Sequence, residues 1–437
     1  FIMNKNTFFF QISRIPSEVG ALTKLRSGLC FADNPIQQPP ENVLQKGSEA
    51  VFDFLAQLLQ NKEKGIWDEA RVLLLGEGEA GKTTLRKSLL HFKAQFESQC
   101  QDIKRTDGVE IEEFPLTLTE VKSAIPVTAR IWDFGGQDVF HATHTFFLSH
   151  GALTIVVYRA DKTPLLQGVD QWLEMLEYFA QNTLIVIVGT HLDAAKKGNA
   201  KIEQLCEEEF KKTKGRFHKL KIVAHHLVSS HDGTGIVALR KYLHQQTLQL
   251  PNIGKEVPES YKKLKEFLEK YKNYPPKFIP FSDISSFGKN QLKMDENTTM
   301  SALDFCADLG TVVWRKSDKN LKEIVFLDPV ILISAFRSIF TFYKGEKAET
   351  HKQIRGFFSN EGLDERLSHF LKDDIELESA RKAFIKQVKK LFEHAKLSFP
   401  YKNSHVIFPI LLDRQNVPPE KWVVDEKSRN YQLHSQL

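Results

Sequence analysis

The stretch Gly76-Glu77-Gly78-Glu79-Ala80-Gly81-Lys82-Thr83-Thr84 has the spacing G-x-x-x-x-G-K-T. In that spacing the glycines let backbone N–H groups converge on phosphate oxygens. An ammonium at Lys82 can reach the β- and γ-phosphates of a nucleotide, and the Thr83 hydroxyl suits a magnesium ion. Leu73-Leu74-Leu75 before the loop reads as a strand, and the residues from Thr84 onward read as a helix, whose N-terminus adds partial positive charge. Glu77 and Glu79 are poor neighbours for phosphate and are expected to point outward.

Further residues decide which nucleotide is held and what is done to it. Asp133 closes an alternating strand (Val127, Ala129, Ile131), where a carboxylate can hold a metal through water. Gly136 offers an N–H to a γ-phosphate, and Gln137 stands where GTPases place the residue that orients the attacking water. Thr190-His191-Leu192-Asp193 ends a later strand. A carboxylate there can accept from N1–H and the 2-amino group of guanine, whereas adenine offers neither donor. Charged hydrogen bonds are worth roughly 1.5–3 kcal/mol each, and sites built this way discriminate by ~10⁴ or more. Asp193 therefore favours GTP over ATP. Ser229, Ser230 and His231 end the last strand, where backbone N–H groups could contact the guanine oxygen. Thr106, in Lys104-Arg105-Thr106-Asp107-Gly108-Val109, is the choice for a hydroxyl that meets Mg²⁺ only while a γ-phosphate is present. A threonine in an ordinary loop is the alternative. His141 and His144 have no partner spaced to complete a metal site and read as packing.

These residues need elements to position them. Strands are expected at Arg71–Leu75, Val109–Phe114, Val127–Trp132, Ala152–Tyr158, Leu184–Val188 and Ile222–Val228. Helices are expected near Thr84–Phe96, Leu166–Asn182, Asn199–Thr213 and Gly235–Leu250. Short strands alternating with longer helices predict an α/β, doubly wound, mostly parallel six-stranded sheet, in which ligands sit at the carboxyl ends of strands. The motifs fall at those ends. Upstream, Leu22, Leu25, Leu29, Phe31 and Asn34-Pro35-Ile36 approximate one leucine-rich repeat, and Ser48 is a plausible cap for an amphipathic helix. Downstream, residues 296–310 read as a capped helix closing at Gly310, 311–329 as a hairpin and 330–343 as a buried helix. Helix, hairpin and helix suggest a winged-helix-like unit.

Composition sets the class. The chain has 437 residues, 41% hydrophobic and 26% charged, with a formal net charge of +5, ordinary values for a soluble protein of two or three domains. Cys30, Cys100, Cys206 and Cys306 are too scattered for a CxxC motif and suit a reducing cytosol. No apolar run approaches the ~18 residues of a membrane span. The basic stretch Phe210–Lys221 alternates with apolar positions as a solvated helix face does, so nucleic acid is not expected as a partner. A chain opening on Phe1 reads as a piece of a longer protein, with Met3 as a possible start.

The glycine loop, "RTDGV", "DFGGQDVFHATHTFFLS", "VGTHLD" and the leucine-rich tail together resemble the Roco family of Ras-like GTPases, in which a GTPase domain called Roc precedes a domain called COR. The resemblance implies a Ras-like P-loop domain followed by an α+β, winged-helix-like COR region. It divides the chain into residues 1–45 (end of a leucine-rich array), 46–68 (connecting helix), 69–250 (Roc), 251–396 (first half of COR) and 397–437 (start of the second half). It implies a Mg²⁺-dependent switch that binds and hydrolyses GTP in cytoplasmic signalling, with GTP/GDP and Mg²⁺ as cofactors, protein effectors, and homodimerisation through COR. The alternatives are a nucleotide-binding scaffold with little turnover, or the regulatory part of a leucine-rich-repeat serine/threonine kinase. Thr190-His191 stands where Asn-Lys is usual, and less charge along the base implies modest affinity and fast exchange. No arginine is placed to neutralise the transition state, so unaided turnover is expected on the order of 10⁻⁴–10⁻² s⁻¹.

Overall fold

The computed structural model describes residues 12–22, 24, 31, 34–60, 64–90, 109–115, 127–135, 151–180, 183–316, 321–340, 356–401 and 404–411. In chain order its elements begin with α1 (Glu41–Leu44), α2 (Ser48–Gln60), β1 (Lys64–Ile66), β2 (Glu69–Leu75), α3 (Lys82–Leu90), β3 (Val109–Pro115), β4 (Thr128–Phe134) and β5 (Leu153–Arg159). Next come α4 (Val169–Phe179), β6 (Leu184–Thr190), α5 (Leu192–Gly198), α6 (Ile202–Arg216), β7 (Lys221–Leu227) and α7 (Ile236–Thr247). The C-terminal part contributes β8 (Glu256–Pro258), α8 (Glu259–Lys272), β9 (Phe278–Pro280), α9 (Phe281–Leu292), α10 (Glu296–Asp308), β10 (Ile324–Phe326) and α11 (Pro329–Phe340). It closes with β11 (Phe357–Ser359), α12 (Asn360–Phe370), α13 (Glu378–His394), β12 (Phe399–Tyr401) and β13 (His405–Ile407).

β2 is buried at every position after Glu69, as a strand covered on both faces must be. It lies in the middle of a six-stranded sheet of order β3-β4-β2-β5-β6-β7. β3 runs antiparallel to β4, and the other pairs are parallel. The chain passes from β2 to both flanks, so a crevice opens at the carboxyl ends around it.

Strand alternation sends Val72 and Leu74 to one face and Leu73 and Leu75 to the other. On the first face they join Phe54 and Leu55 of α2, Leu85 and Leu89 of α3, Leu239 and Leu243 of α7, and Tyr261, Leu264 and Phe305 of α8 and α10. On the second they join Trp172 and Leu176 of α4, Cys206 and Phe210 of α6, Ile331 and Phe336 of α11, and Phe384 and Leu391 of α13. Each face thus shares its core with part of the C-terminal region.

The six expected strands all form, with ends shifted by two residues or fewer. α3 starts at Lys82, and its described part ends at Leu90. Ser48 is the first residue of α2, not a cap. α5 was not expected, because seven residues are too few to show a helical period. Of the expected hairpin in 311–329, the described residues form one antiparallel bridge, Val313 to Phe326, on one edge of β10, while β9 pairs along its other edge. The winged-helix order is therefore α8, β9, α9, α10, the Val313 bridge and β10. α11 lies outside that unit and packs on the second face. The small sheet β11-β13-β12 joins residues on both sides of position 396.

Two further joints tie the parts together. The Arg71 guanidinium on β2 stacks 4.0 Å over the Trp132 ring on β4. Gly310, just past α10, lies so close that a Cβ there would sit 3.0 Å from both. Directly across from Arg71 on β4, Arg130 pairs with Glu113, Glu69 and Glu269 of α8, while Lys265 of α8 pairs with Glu69 and Glu269. N-terminally, a parallel bridge joins Arg14 to Gln38, Asn34 Oδ1 accepts from the Ile12 N–H at 3.3 Å, and Gly20 packs on the α2 backbone at Ala56.

Gly310 has a φ of +74° as well as no room for a side chain. Gly310→Ala is expected to cost about 2 kcal/mol through strain and displacement of the Arg71–Trp132 stack. A urea melt checks this, and an unchanged midpoint would mean that the joint yields freely.

Candidate functional site

Gly76 leaves β2 with a φ of +147°, and a Cβ there would lie 2.2 Å from the Val157 carbonyl oxygen. Only glycine lets the chain turn out between β2 and β5 at that point. The loop then runs to Gly81, and α3 begins at Lys82. Lys82 is 6% exposed, and its ammonium donates to the Gly76 and Glu77 carbonyls at 2.8 and 2.7 Å. Burial brings its pKa down to about 8, against the opposing pull of Asp133 and Glu77. The Glu77 carboxylate lies against Gly168 at the start of α4. Gly78 and Glu79 are exposed, Glu79 with a φ of +66°, while Ala80 is buried. Thr84 is half-buried, and its carbonyl accepts from Ser88 Oγ at 2.9 Å.

Asp133 at the end of β4 is fully buried, and neither carboxylate oxygen has a hydrogen-bond partner of ordinary geometry. Burial pushes its pKa up, and the Thr83 hydroxyl, Arg86 and Lys82 counteract that push. A buried carboxylate with free lone pairs beside a threonine hydroxyl and a phosphate-type loop fits Mg²⁺, which takes oxygen ligands and keeps waters. Among the described residues no cluster of three or more His, Cys, Asp or Glu could hold a metal alone. Thr106, Gly136 and Gln137 lie outside the described residues, as do His141 and His144.

The other half of the site forms at the ends of β6 and β7. Asp193 Oδ1 accepts from Ser229 Oγ at 2.9 Å, and the same oxygen of Ser229 accepts the His231 and Asp232 N–H groups at 3.3 Å. Ser229 is buried, Ser230 half-buried and His231 exposed. The two halves meet at Thr190. Its hydroxyl donates to the Ala80 carbonyl at 2.7 Å, with the Tyr158 carbonyl at 3.1 Å and His191 Nδ1 at 2.9 Å. A hydroxyl has one proton. With that proton on a carbonyl, Nδ1 of His191 is the donor to Thr190, which fixes the ring's tautomer. His191 is held by a φ of +59°, and burial and then Arg159 keep its pKa below the ordinary value. Gly81 packs on this pair, its Cβ position 3.3 Å from both His191 Cε1 and Thr190 Oγ1.

The structure therefore brings the loop residues 76–84, Asp133, Thr190, His191, Asp193 and Ser229–His231 to the same carboxyl edge of the sheet. Sequence reasoning missed two neighbours. Arg159, at the end of β5, grips Asp161 through two bonds of 2.9 and 2.7 Å and faces His191. Its position directly after an expected strand was the available signal. Arg86, one turn after Lys82, reaches β3 and Asp133, and no local pattern announces a contact with a distant strand.

Residues 71–193 match the family described as "Ras of Complex, Roc, domain of DAPkinase". The chain is 28% identical over 336 residues, 73% of its length and 10% of the other's, to the "Probable serine/threonine-protein kinase pats1" of Dictyostelium discoideum. It is 24% identical over 327 residues, 69% of its length and 29% of the other's, to a "Roc-COR-CHAT protease" of an unknown prokaryotic organism. It thus spans less than a third of either relative. Its fold matches the structure of Methanosarcina barkeri Roco2 RocCORdC bound to GDP with a TM-score of 0.62 at 24% identity, covering 80% of this chain and 98% of that one.

Lys82 supplies a pH test of the cradle. Its folded-state pKa of about 8 lies below the ordinary 10.5, so the penalty for burying the ammonium is full below pH 8 and is relieved as pH rises towards 10.5. The nucleotide-free wild type is therefore expected to gain stability relative to Lys82→Met, on the order of 2–3 kcal/mol, between those pH values. Urea melts of both proteins at each pH measure it, and a constant difference would contradict the burial of this charge.

Proposed function

A Roc domain set in the Roc–COR fold makes this chain a Roco-family protein, and we propose that it is a Mg²⁺-dependent switch that binds and hydrolyses GTP. The observation that supports this most is the Thr190 bridge, which fixes the Lys82 loop at one distance from the Asp193–Ser229 pair. A guanine nucleotide, held by its phosphates at one end and its base at the other, needs both sets of groups in fixed relation. The GDP in the Methanosarcina structure supports the same class of ligand.

In this proposal the N–H groups from Gly78 to Thr84 and the Lys82 ammonium hold the phosphates, Lys82 exchanging its loop carbonyls for phosphate oxygens. Ser229 leaves one oxygen and further lone pairs of Asp193 free for N1–H and the 2-amino group of guanine. His231 and its neighbours offer N–H groups to the guanine oxygen, and His191 lies along the base. Thr83, Asp133 and Thr106 hold Mg²⁺, which when bound neutralises charge on the β- and γ-phosphates. Gln137 orients the attacking water and the Gly136 N–H meets the γ-phosphate. The parallel bridge and the Asn34 bond at the N-terminus support the reading of that segment as one turn of a leucine-rich repeat. Homodimerisation through COR, effectors and a cytoplasmic setting complete the proposal. Among the described residues no helix is long and apolar enough to cross a membrane.

The deciding experiment compares GTP and ATP by equilibrium binding with Mg²⁺. GTP is expected to bind at least ~10²-fold more tightly, and equal affinities would sink the assignment of Asp193. Asp193→Asn is expected to weaken GTP by a similar factor while improving xanthosine triphosphate, whose 2-oxo group suits an amide. Gln137→Leu is expected to slow single-turnover hydrolysis at least ~10-fold with binding unchanged. Equal, near-zero turnover in both proteins favours the scaffold alternative.

A further inference from the structure

Arg86 is 5% exposed, an unusual place for a guanidinium on a helix that begins with the phosphate lysine. Its Nη2 pairs with Glu110 and its Nη1 lies 3.5 Å from Glu112, both on β3. Its Nε lies 3.7 Å from Asp133 Oδ2 and has no hydrogen-bond partner. Glu110 stands directly across the strand pair from Asp133, so the two carboxylates leave the same face of the sheet. At 3.7 Å the charges attract, but the bond is not made. The glutamates thus hold the guanidinium just short of the lone pairs that a hydrated cation would use.

We propose that Arg86 is an internal rival of the divalent cation for Asp133, restrained by Glu110 and Glu112, and that this balance sets how much Mg²⁺ the protein needs to retain nucleotide. Arg86 acts as a positioning residue: it touches neither base nor phosphate, but decides how available the metal carboxylate is. This rests on the guanine-nucleotide reading of the site. It adds a property that the reading does not contain, a cation requirement tuned from β3.

The test is the release of N-methylanthraniloyl-GDP, followed by fluorescence while Mg²⁺ is titrated, in wild type, Arg86→Gln, Glu110→Gln and the double variant. Glu110 is half-exposed, so Glu110→Gln keeps the test available if Arg86→Gln folds poorly. Removing the rival should lower the Mg²⁺ concentration that half-slows release by roughly tenfold. Releasing the restraint with Glu110→Gln should raise it by several-fold, and that increase should vanish in the Arg86→Gln background. An unchanged or raised midpoint in Arg86→Gln overturns the proposal. So does a Glu110→Gln effect of equal size in both backgrounds, which would mark plain charge attraction between Glu110 and the cation. Mg²⁺-independent release by the wild type also overturns it. Failure of the wild type to bind the GDP probe at all sinks the nucleotide reading itself, and is distinguished by being seen before any variant is compared.

Discussion

The structure hangs on the need to bury β2 on both faces. Its residues alternate Val72 and Leu74 against Leu73 and Leu75, and neither pair can be left to water. Covering both faces takes more than the helices that connect the parallel strands. α2, α8 and α10 complete one face, and α11 and α13 complete the other, so residues far apart in sequence share a core. The polar groups of the site collect at the carboxyl edge.

That edge is held by few, directional contacts. Gly76 passes the Val157 carbonyl, Thr190 reaches back to Ala80, and Ser229 restrains Asp193. The first and last join neighbours in the sheet, Thr190 reaches past β5 to the loop after β2, and all three link segments distant in the chain. Buried charge is concentrated close by: Lys82 and Arg86 both favour the charged form of Asp133, while Arg86 itself pairs with Glu110 and Glu112. Arg71 stacks on the Trp132 ring, and the Asp308 charge favours its ionised form against burial and the like charge of Arg130.

Much of this was legible in the sequence because a doubly wound sheet puts its functional loops directly after its strands. The six strands and the positions of Lys82, Asp133, Thr190 and Asp193 follow from runs of apolar residues and what ends them. What stayed hidden was non-local. The pairing of Ile324–Phe326 with Phe278–Pro280 leaves no trace in either segment, so the wing looked like a simple hairpin. α5 is too short to show a period. Arg86 looks like any helix-surface cation until β3 closes over it. The allocation of the C-terminal helices between two faces depends on which partners are available, and no local pattern encodes it.

The N-terminal segment has a mechanical consequence. Gly20 sits against the backbone of α2, Arg14 pairs with Glu256 at 2.9 Å, and Gln38 donates to the Glu256 carbonyl at 2.8 Å. These contacts fasten the described parts of the segment to α2 and to β8. Torque applied there loads α2 and β8 at once, and through them the face that carries Leu85 and the start of α3.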